Sequence, residues 1–370
     1  MAKQKLFHIV KRVKMPVGKQ AAIYVGSVLL ALGIGAILLL VLNANPLEYY
    51  STMLTIGLTE SRFPESNFES LIKIFVPLLM TAIALSMAFK MRFWNIGGEG
   101  QFIVGTIAAG FVALQFGPTM DFTLCLILMM AAAMLCSGLL GVFVASLKVR
   151  FNTNETLLTL MLNYVILYVL KFLAETKADW NFFLSTQSQR PVFTNLNMKM
   201  PSIQIGSFHL DISLIIALVV CVLVHVYMKY TKQGYEINVV GDSAGTARYA
   251  GMKVNRIVMR TMFLSAALIG LAGACSVSTA NIMSTSITND VGWTGIIVAW
   301  LAKLNVWAVA VVSLLISVLQ YGCQFASSHF PRVDAHFADI LQGIILFFVL
   351  AADFLIRFRI VFHNKGGDRA

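Results

Sequence analysis

One stretch of this sequence carries polar chemistry where none is expected. Trp94–Gln101 reads WNIGGEGQ and sits between two strongly apolar runs. Asn95, Glu99 and Gln101 can form hydrogen bonds, and Glu99 can ionise. Gly97, Gly98 and Gly100 each cost about 1 kcal/mol against alanine in a helix interior. Interrupted backbone at membrane depth is tolerated only against protein or a water-filled cavity. An ionisable residue there marks a functional site by default. The stretch therefore reads either as a broken helix lining a polar path, through Trp94, Asn95, Glu99 and Gln101, or as a plain loop with Glu99 paired to Lys90 or Arg92.

Two further groups have useful spacing. In Phe151–Tyr164, Thr153 or Asn154 can cap a helix starting near Glu155. Thr156, Thr159 and Asn163 then fall at i, i+3 and i+7, a polar stripe on an apolar helix. Such a stripe suits interhelical hydrogen bonds, and Asn163 is also a candidate for the path. In the hydrophilic segment Lys229–Arg256, Asp242 or Ser243 can cap a short helix running through Tyr249, with Gly251 ending it. Ala244, Ala247, Tyr249 and Ala250 are expected to form one small, mostly apolar patch beside Arg248. That helix would dock into a partner's groove or pack on the chain's own ends.

Other chemistry is missing from the sequence. There is no Walker A loop, dinucleotide fingerprint, H-E-x-x-H or CxxC, and the six histidines and five cysteines are dispersed. No catalytic constellation and no metal site are expected.

The elements that must hold these residues follow from composition. The 370 residues are 58% hydrophobic and only 12% charged, about half the charge of a soluble domain. The apolar runs are continuous rather than alternating, so the spans are helices and not barrel strands. The fold class is an all-α integral membrane protein of about ten spans, some discontinuous. The expected spans are Ala21–Leu42, Leu71–Phe89, the run after Gln101 to Phe116, Phe122–Leu147, Thr156–Leu173, Ile212–Met228, Ile257–Val277, Val291–Leu301, Val306–Phe325 and Phe337–Ile356. Polar loops occupy Asn43–Ser70 and Ala174–Leu210. Val291–Leu301 is about half the length of a straight crossing, so it starts early, near Asn281, or is short, broken or re-entrant. Lys3–Lys14 suits a basic surface helix or a disordered basic tail.

The net charge of +11 points to a basic cytoplasmic face rather than to nucleic acid. Ten crossings put the N-terminus, Lys90–Arg92, Lys148–Arg150, Lys229–Arg256 and the C-terminus on that one side. The domains are thus a basic cytoplasmic segment (1–20), a transmembrane domain (21–356, with its cytoplasmic loop 229–256) and a cytoplasmic tail (357–370). A faint internal echo relates Pro77–Val112 to Thr261–Leu304: each is a small-residue span, a polar break with Trp, and another span.

Five segments in order, RFWNIGGEGQF, NETLLTLMLNY, GYEINVVGDSAGTARYAGMKVNR, GWTGIIVAWLAKLN and FADILQGIILFFVL, resemble the permease subunits of bacterial ABC importers. The match is to the nucleoside branch, related to ribose and branched-chain amino-acid permeases. This resemblance implies a homo- or heterodimer of permease subunits around one path. It implies a cytoplasmic ABC ATPase on a separate chain, holding ATP and Mg so that this chain binds no cofactor and is no enzyme. It also implies an extracytoplasmic substrate-binding lipoprotein and a bacterial plasma-membrane location. Asp242, Ser243, Ala244, Ala247, Arg248, Tyr249 and Gly251 would form the coupling helix. Trp94–Gln101 would be the discontinuous helix on the path, and Trp293 and Thr294 join Asn95, Gln101 and Trp94 as groups suited to a neutral, amphipathic nucleoside. One departure stands out: Trp300 occupies a position where related permeases carry a small residue. A same-architecture permease for a sugar or amino acid is the neighbouring reading. An ion-coupled secondary transporter using Glu99 and Glu155 is the more distant one.

Overall fold

The computed structural model describes residues 7–11, 15–56, 64–185, 193–334 and 336–362. Its elements run β1 (Phe7–Lys11), α1 (Val17–Val41), α2 (Pro46–Thr55), α3 (Pro64–Lys90), α4 (Gly98–Phe116), α5 (Phe122–Phe151) and α6 (Glu155–Glu175). After a hairpin of β2 (Ser202–Ile205) and β3 (Phe208–Asp211) come α7 (Ile212–Tyr230), α8 (Lys232–Asp242), α9 (Ala244–Tyr249) and α10 (Val254–Ala280). The chain closes with α11 (Val291–Leu301), α12 (Val306–His329), α13 (Phe337–Arg357) and β4 (Phe358–Phe362). Among the described residues, nine helices are long and apolar enough to cross a membrane, and α11 is a shorter apolar helix. The chain is a multi-pass α-helical membrane protein.

It divides into two compact units, residues 1–57 with 319–370, and residues 58–318. In the first, Leu39, Tyr49, Met53, Cys323, Phe337 and Leu341 form a buried core, and Tyr24 donates to Asp353 at 2.8 Å. The basic helix weighed for Lys3–Lys14 is not what forms at Phe7–Lys11. This segment, rich in β-branched and aromatic residues, pairs as an antiparallel strand with Phe358–Phe362.

The second unit holds the break. Its spans pack through small residues, as expected where lipid supplies no hydrophobic drive. A Cβ at Gly105 would meet the Gly270 carbonyl at 2.5 Å, and one at Gly273 would meet that of Phe102 at 2.5 Å. This closeness lets the buried Ser137 hydroxyl reach two other helices, donating toward the Gln101 carbonyl (2.9 Å) and the Ala266 carbonyl (2.7 Å).

Three loops are more structured than the sequence suggests. Asn43–Ser70 contains α2, capped by Asn45, and the first turns of α3. Ala174–Leu210 contains most of the β2–β3 hairpin. Lys229–Arg256 is largely helical, because Thr231 caps α8 by accepting from Gly234 N at 3.1 Å and Ile237 and Val240 bury an apolar face. The weak eighth span also resolves. Turns fill Asn281–Asp290, and consecutive left-handed residues Asn289 (φ 42°) and Asp290 (φ 54°) aim the chain into α11. Trp300 then packs on Phe89 near the α3 C-terminus, and Trp307 on His225 near the α7 C-terminus. A turn-rich leg plus a half-length helix therefore makes this passage.

Candidate functional site

The segment after α3 turns back into the bundle before helix resumes. Arg92 takes a left-handed conformation (φ 59°), and α4 begins at Gly98, whose Cβ position lies 3.3 Å from Leu85. Leu85 is five residues short of the α3 end, so α4 starts about 7 Å inside the bundle. The side chains of Asn95, Glu99 and Gln101 each find a partner there. Asn95 and Gln101 pair their amides (3.1 and 3.3 Å), and Asn95 Oδ1 also accepts from Gly97 N at 3.1 Å. Asn163 accepts from Gly100 N at 2.9 Å and donates to the Ile96 carbonyl at 2.8 Å. Thr159 accepts from Ile96 N at 3.2 Å. The stripe on α6 thus supplies interhelical bonds, and Asn154 caps that helix by accepting from Leu157 N.

Glu99 makes the connection of longest reach. Its Oε2 accepts from Gly292 N at 2.8 Å. The side chain sits in the first turn of α4 and against the first turn of α11, so one carboxyl group lies at two helix N-termini. The two polar breaks of the internal echo meet at this bond. Neither Lys90 nor Arg92 is within ion-pair distance of Glu99 among the described residues. Asn95, Glu99, Gln101 and Asn163 are all buried, packed into a plug and not spread along an open wall. Trp94 differs: it is 46% exposed and stacks on Trp300 at 5.2 Å between centroids. Thr294 is buried in α11 and Trp293 is half-buried.

Two cavities approach the plug from opposite ends. One of about 680 Å³ touches Arg92 and Phe93 and is walled by Lys148, Glu155, Asp242, Ser243 and Arg248. Glu155 is held there by Lys148 at 2.8 Å. The other, of about 600 Å³, reaches down to Thr288 and Val291. Its polar wall is Ser213, Ser276, Thr279, Asn281, Thr288 and Asn289; Pro77, Ile282 and Ile287 give apolar surface, and Lys73 and Lys199 stand on its wall. The buried Ser276 hydroxyl has no protein partner. Pro77 removes the helical donor for the Lys73 carbonyl. Nearby, burial raises the Asp211 carboxyl above the usual carboxylate range, opposed by Lys73, Lys199 and a Thr279 hydrogen bond.

This second cavity was not singled out from the sequence. Its signal was the serine, threonine and asparagine content of Ser276–Asn289, which composition alone assigns to a loop.

At the end carrying α8 and α9, Ser243 caps α9 by accepting from Thr246 N at 3.2 Å, and Gly251 follows with φ 76°. The expected single patch splits between two faces. Ala247 is fully buried against the chain, whereas Tyr249 is 96% exposed and Ala244 and Ala250 are exposed. Gly241 fits only because its missing Cβ makes room for the Lys90 carbonyl. This contact ties α8 to the foot of the break.

Residues 67–350 match the family described as branched-chain amino acid transport system / permease component. The chain belongs to this permease family. Among curated proteins, it is 29% identical to the guanosine ABC transporter permease protein NupP of Bacillus subtilis, over 90% of this chain and 93% of that one. It is 27% identical to the nucleoside ABC transporter permease protein NupB of Lactococcus lactis, covering 87% and 88%. It is also 27% identical to the glucose ABC transporter permease protein TsgB13 of Haloferax volcanii, covering 92% and 90%. The permease is thus a transport component.

Proposed function

We propose that this permease forms the translocation pathway of an ATP-driven importer of nucleosides, working by alternating access. The observation that carries the reading is the hydroxyl- and amide-walled cavity ending on the Glu99–Gly292 plug. Ser276, Thr279, Asn281 and Thr288 offer both donors and acceptors, while Pro77, Ile282 and Ile287 offer apolar faces. A neutral solute with a hydroxylated half and a flat half suits that wall. The size fits small-molecule sites, which run to several hundred Å³. The two nucleoside permeases among the relatives support the same class.

In this mechanism the cavity beside Ser276 is the extracytoplasmic vestibule, fed by a substrate-binding lipoprotein. The cavity beside Arg92 is the exit, and both termini are cytoplasmic. A separate ABC ATPase binds ATP and Mg and docks on α9, presenting Tyr249 and Arg248. Movement of α8–α9 reaches the break through the Gly241–Lys90 contact and parts the Glu99–Gly292 bond. A second permease subunit completes the pathway. Trp94, Asn95, Gln101 and Asn163 act as its hinge and lining, with Trp293 and Thr294 on the facing half-helix. Glu155, locked to Lys148, is poorly placed to carry coupling ions.

Uptake into proteoliposomes holding the full importer tests this. Labelled guanosine should accumulate only with ATP inside, and adenosine or uridine should compete while ribose and leucine do not. Accumulation driven by a proton or sodium gradient without the ATPase, or failure of every nucleoside to compete, would overturn it.

A further inference from the structure

A third cavity, of about 430 Å³, lies where α8 meets the start of α10. It is lined by Lys232, Lys253, Arg256 and Arg260 against one carboxylate, Glu236. Arg260 spends one terminal nitrogen on Glu236 at 3.1 Å and lies beside the Tyr227 hydroxyl. The carboxylate is thus already engaged, and the cavity keeps an excess of cationic groups. Lys232, Lys253 and Arg256 are exposed. Three exposed cations beside the half-buried Arg260 attract an anion, and tetrahedral oxyanions suit forked guanidinium donors.

The surroundings say where that oxyanion comes from. Lys232 follows directly on α7, whose Leu218, Val219, Leu223 and Val226 are exposed apolar side chains suited to lipid. At the foot of that face, exposed Tyr230 carries Lys229 over its ring at 5.2 Å. Aromatic and basic residues at a span end mark headgroup level. Tyr235, 62% exposed, lines the cavity itself. A cavity at this depth, cationic and opening beside a lipid-facing helix, is placed to take a headgroup phosphate.

We infer that Lys232, Lys253, Arg256 and Arg260 form a binding site for the phosphate of an anionic phospholipid. The site anchors α8 and the start of α10 to the membrane surface, and it is independent of the solute that the permease carries.

The test is titration of the purified permease with short-chain phosphatidylglycerol, read by intrinsic fluorescence and by melting temperature. Phosphatidylcholine and inorganic phosphate serve as separate arms. Phosphatidylglycerol should bind saturably and raise the melting temperature, and the K253Q/R256Q variant should bind it on the order of 25-fold more weakly. R150Q, which removes an exposed cation outside this cavity, should bind as the wild type does. Melting in phosphatidylcholine alone checks that each variant is folded. Equal binding of phosphatidylcholine, an equal response to inorganic phosphate, or undiminished binding by K253Q/R256Q would overturn the proposal.

Discussion

The Glu99 carboxylate accepts a hydrogen bond from the Gly292 backbone at 2.8 Å, joining the first turns of two interrupted helices across 193 residues of sequence. Gly292 is there because nothing larger fits. A Cβ at that position would lie 2.5 Å from Glu99 Cα and closer still to Glu99 N, which are backbone atoms that cannot swing away. The G292A variant should lose on the order of 1–3 kcal/mol from overpacking, seen as a lowered melting temperature. E99Q keeps the shape but replaces the carboxyl by an amide at the meeting of two helix N-termini. It should fold and yet transport at a clearly altered rate, checked by initial uptake rates at matched protein.

Asn163 serves the break from α6 with both ends of its amide. N163A strips the partner from the buried Gly100 N and from the part-buried Ile96 carbonyl, at about 1–3 kcal/mol for the first and less for the second. A loss of roughly 2–4 kcal/mol is expected, which makes N163A among the least stable single variants in thermal melting. A loss within experimental error would mean that water reaches the break, and the plug would then be wet.

Ser276 has the opposite character, since its hydroxyl has no protein partner to lose. S276A should leave stability unchanged, whereas S276F fills the cavity beside it. Uptake by S276F should fall at least tenfold with ATPase co-purification unaffected. Normal uptake by S276F would remove this cavity from the pathway.

On α9 the two candidate contacts separate. Y249A removes a side chain that is 96% exposed, so it should leave the permease folded and weaken its co-purification with the ATPase. A247R drives a charge into a fully buried position and should lower the yield of folded protein instead. If Y249A leaves the complex and its transport intact, docking does not use this face of α9.

Asp211 provides a pH signature. Its carboxyl is raised by burial, so ionisation works against the folded state. The penalty is present above the folded pKa, and it disappears as pH falls below the ordinary carboxylate value near ~3.9. D211N should therefore melt higher than wild type at neutral pH, with the gap closing on acidification. A gap that widens toward low pH would contradict the assignment.

The span pattern was readable because lipid imposes continuous apolar runs, and WNIGGEGQ was conspicuous because glycines and a carboxylate break one. Asn154 at the start of α6 and Ser243 at the start of α9 were legible for a related reason, since capping is local. What could not be read depends on distance in sequence. Nothing in Gly292 announces that it faces Glu99, and Asn95 and Gln101 give no sign that they pair with each other. The exposed Tyr249 and buried Ala247 lie two residues apart, where a six-residue helix gives too little periodicity to assign faces. The serine- and threonine-rich stretch after α10 reads as a loop until Thr288 is seen beside the plug.

The central claim, that the plug separates two cavities belonging to one pathway, is tested most directly by sided labelling. N289C in the cavity beside Ser276 and R92C in the cavity beside Lys148 are introduced after the five native cysteines have been replaced. Each is then exposed to a membrane-impermeant maleimide from one side at a time, in vesicles holding the full importer. The account predicts that without ATP N289C labels only from the extracytoplasmic side and R92C only from the cytoplasmic side. Trapping the ATPase with ATP and vanadate should change the rate at both positions together. Labelling of both from the same side at rest, or rates that ignore the ATPase state, would contradict it.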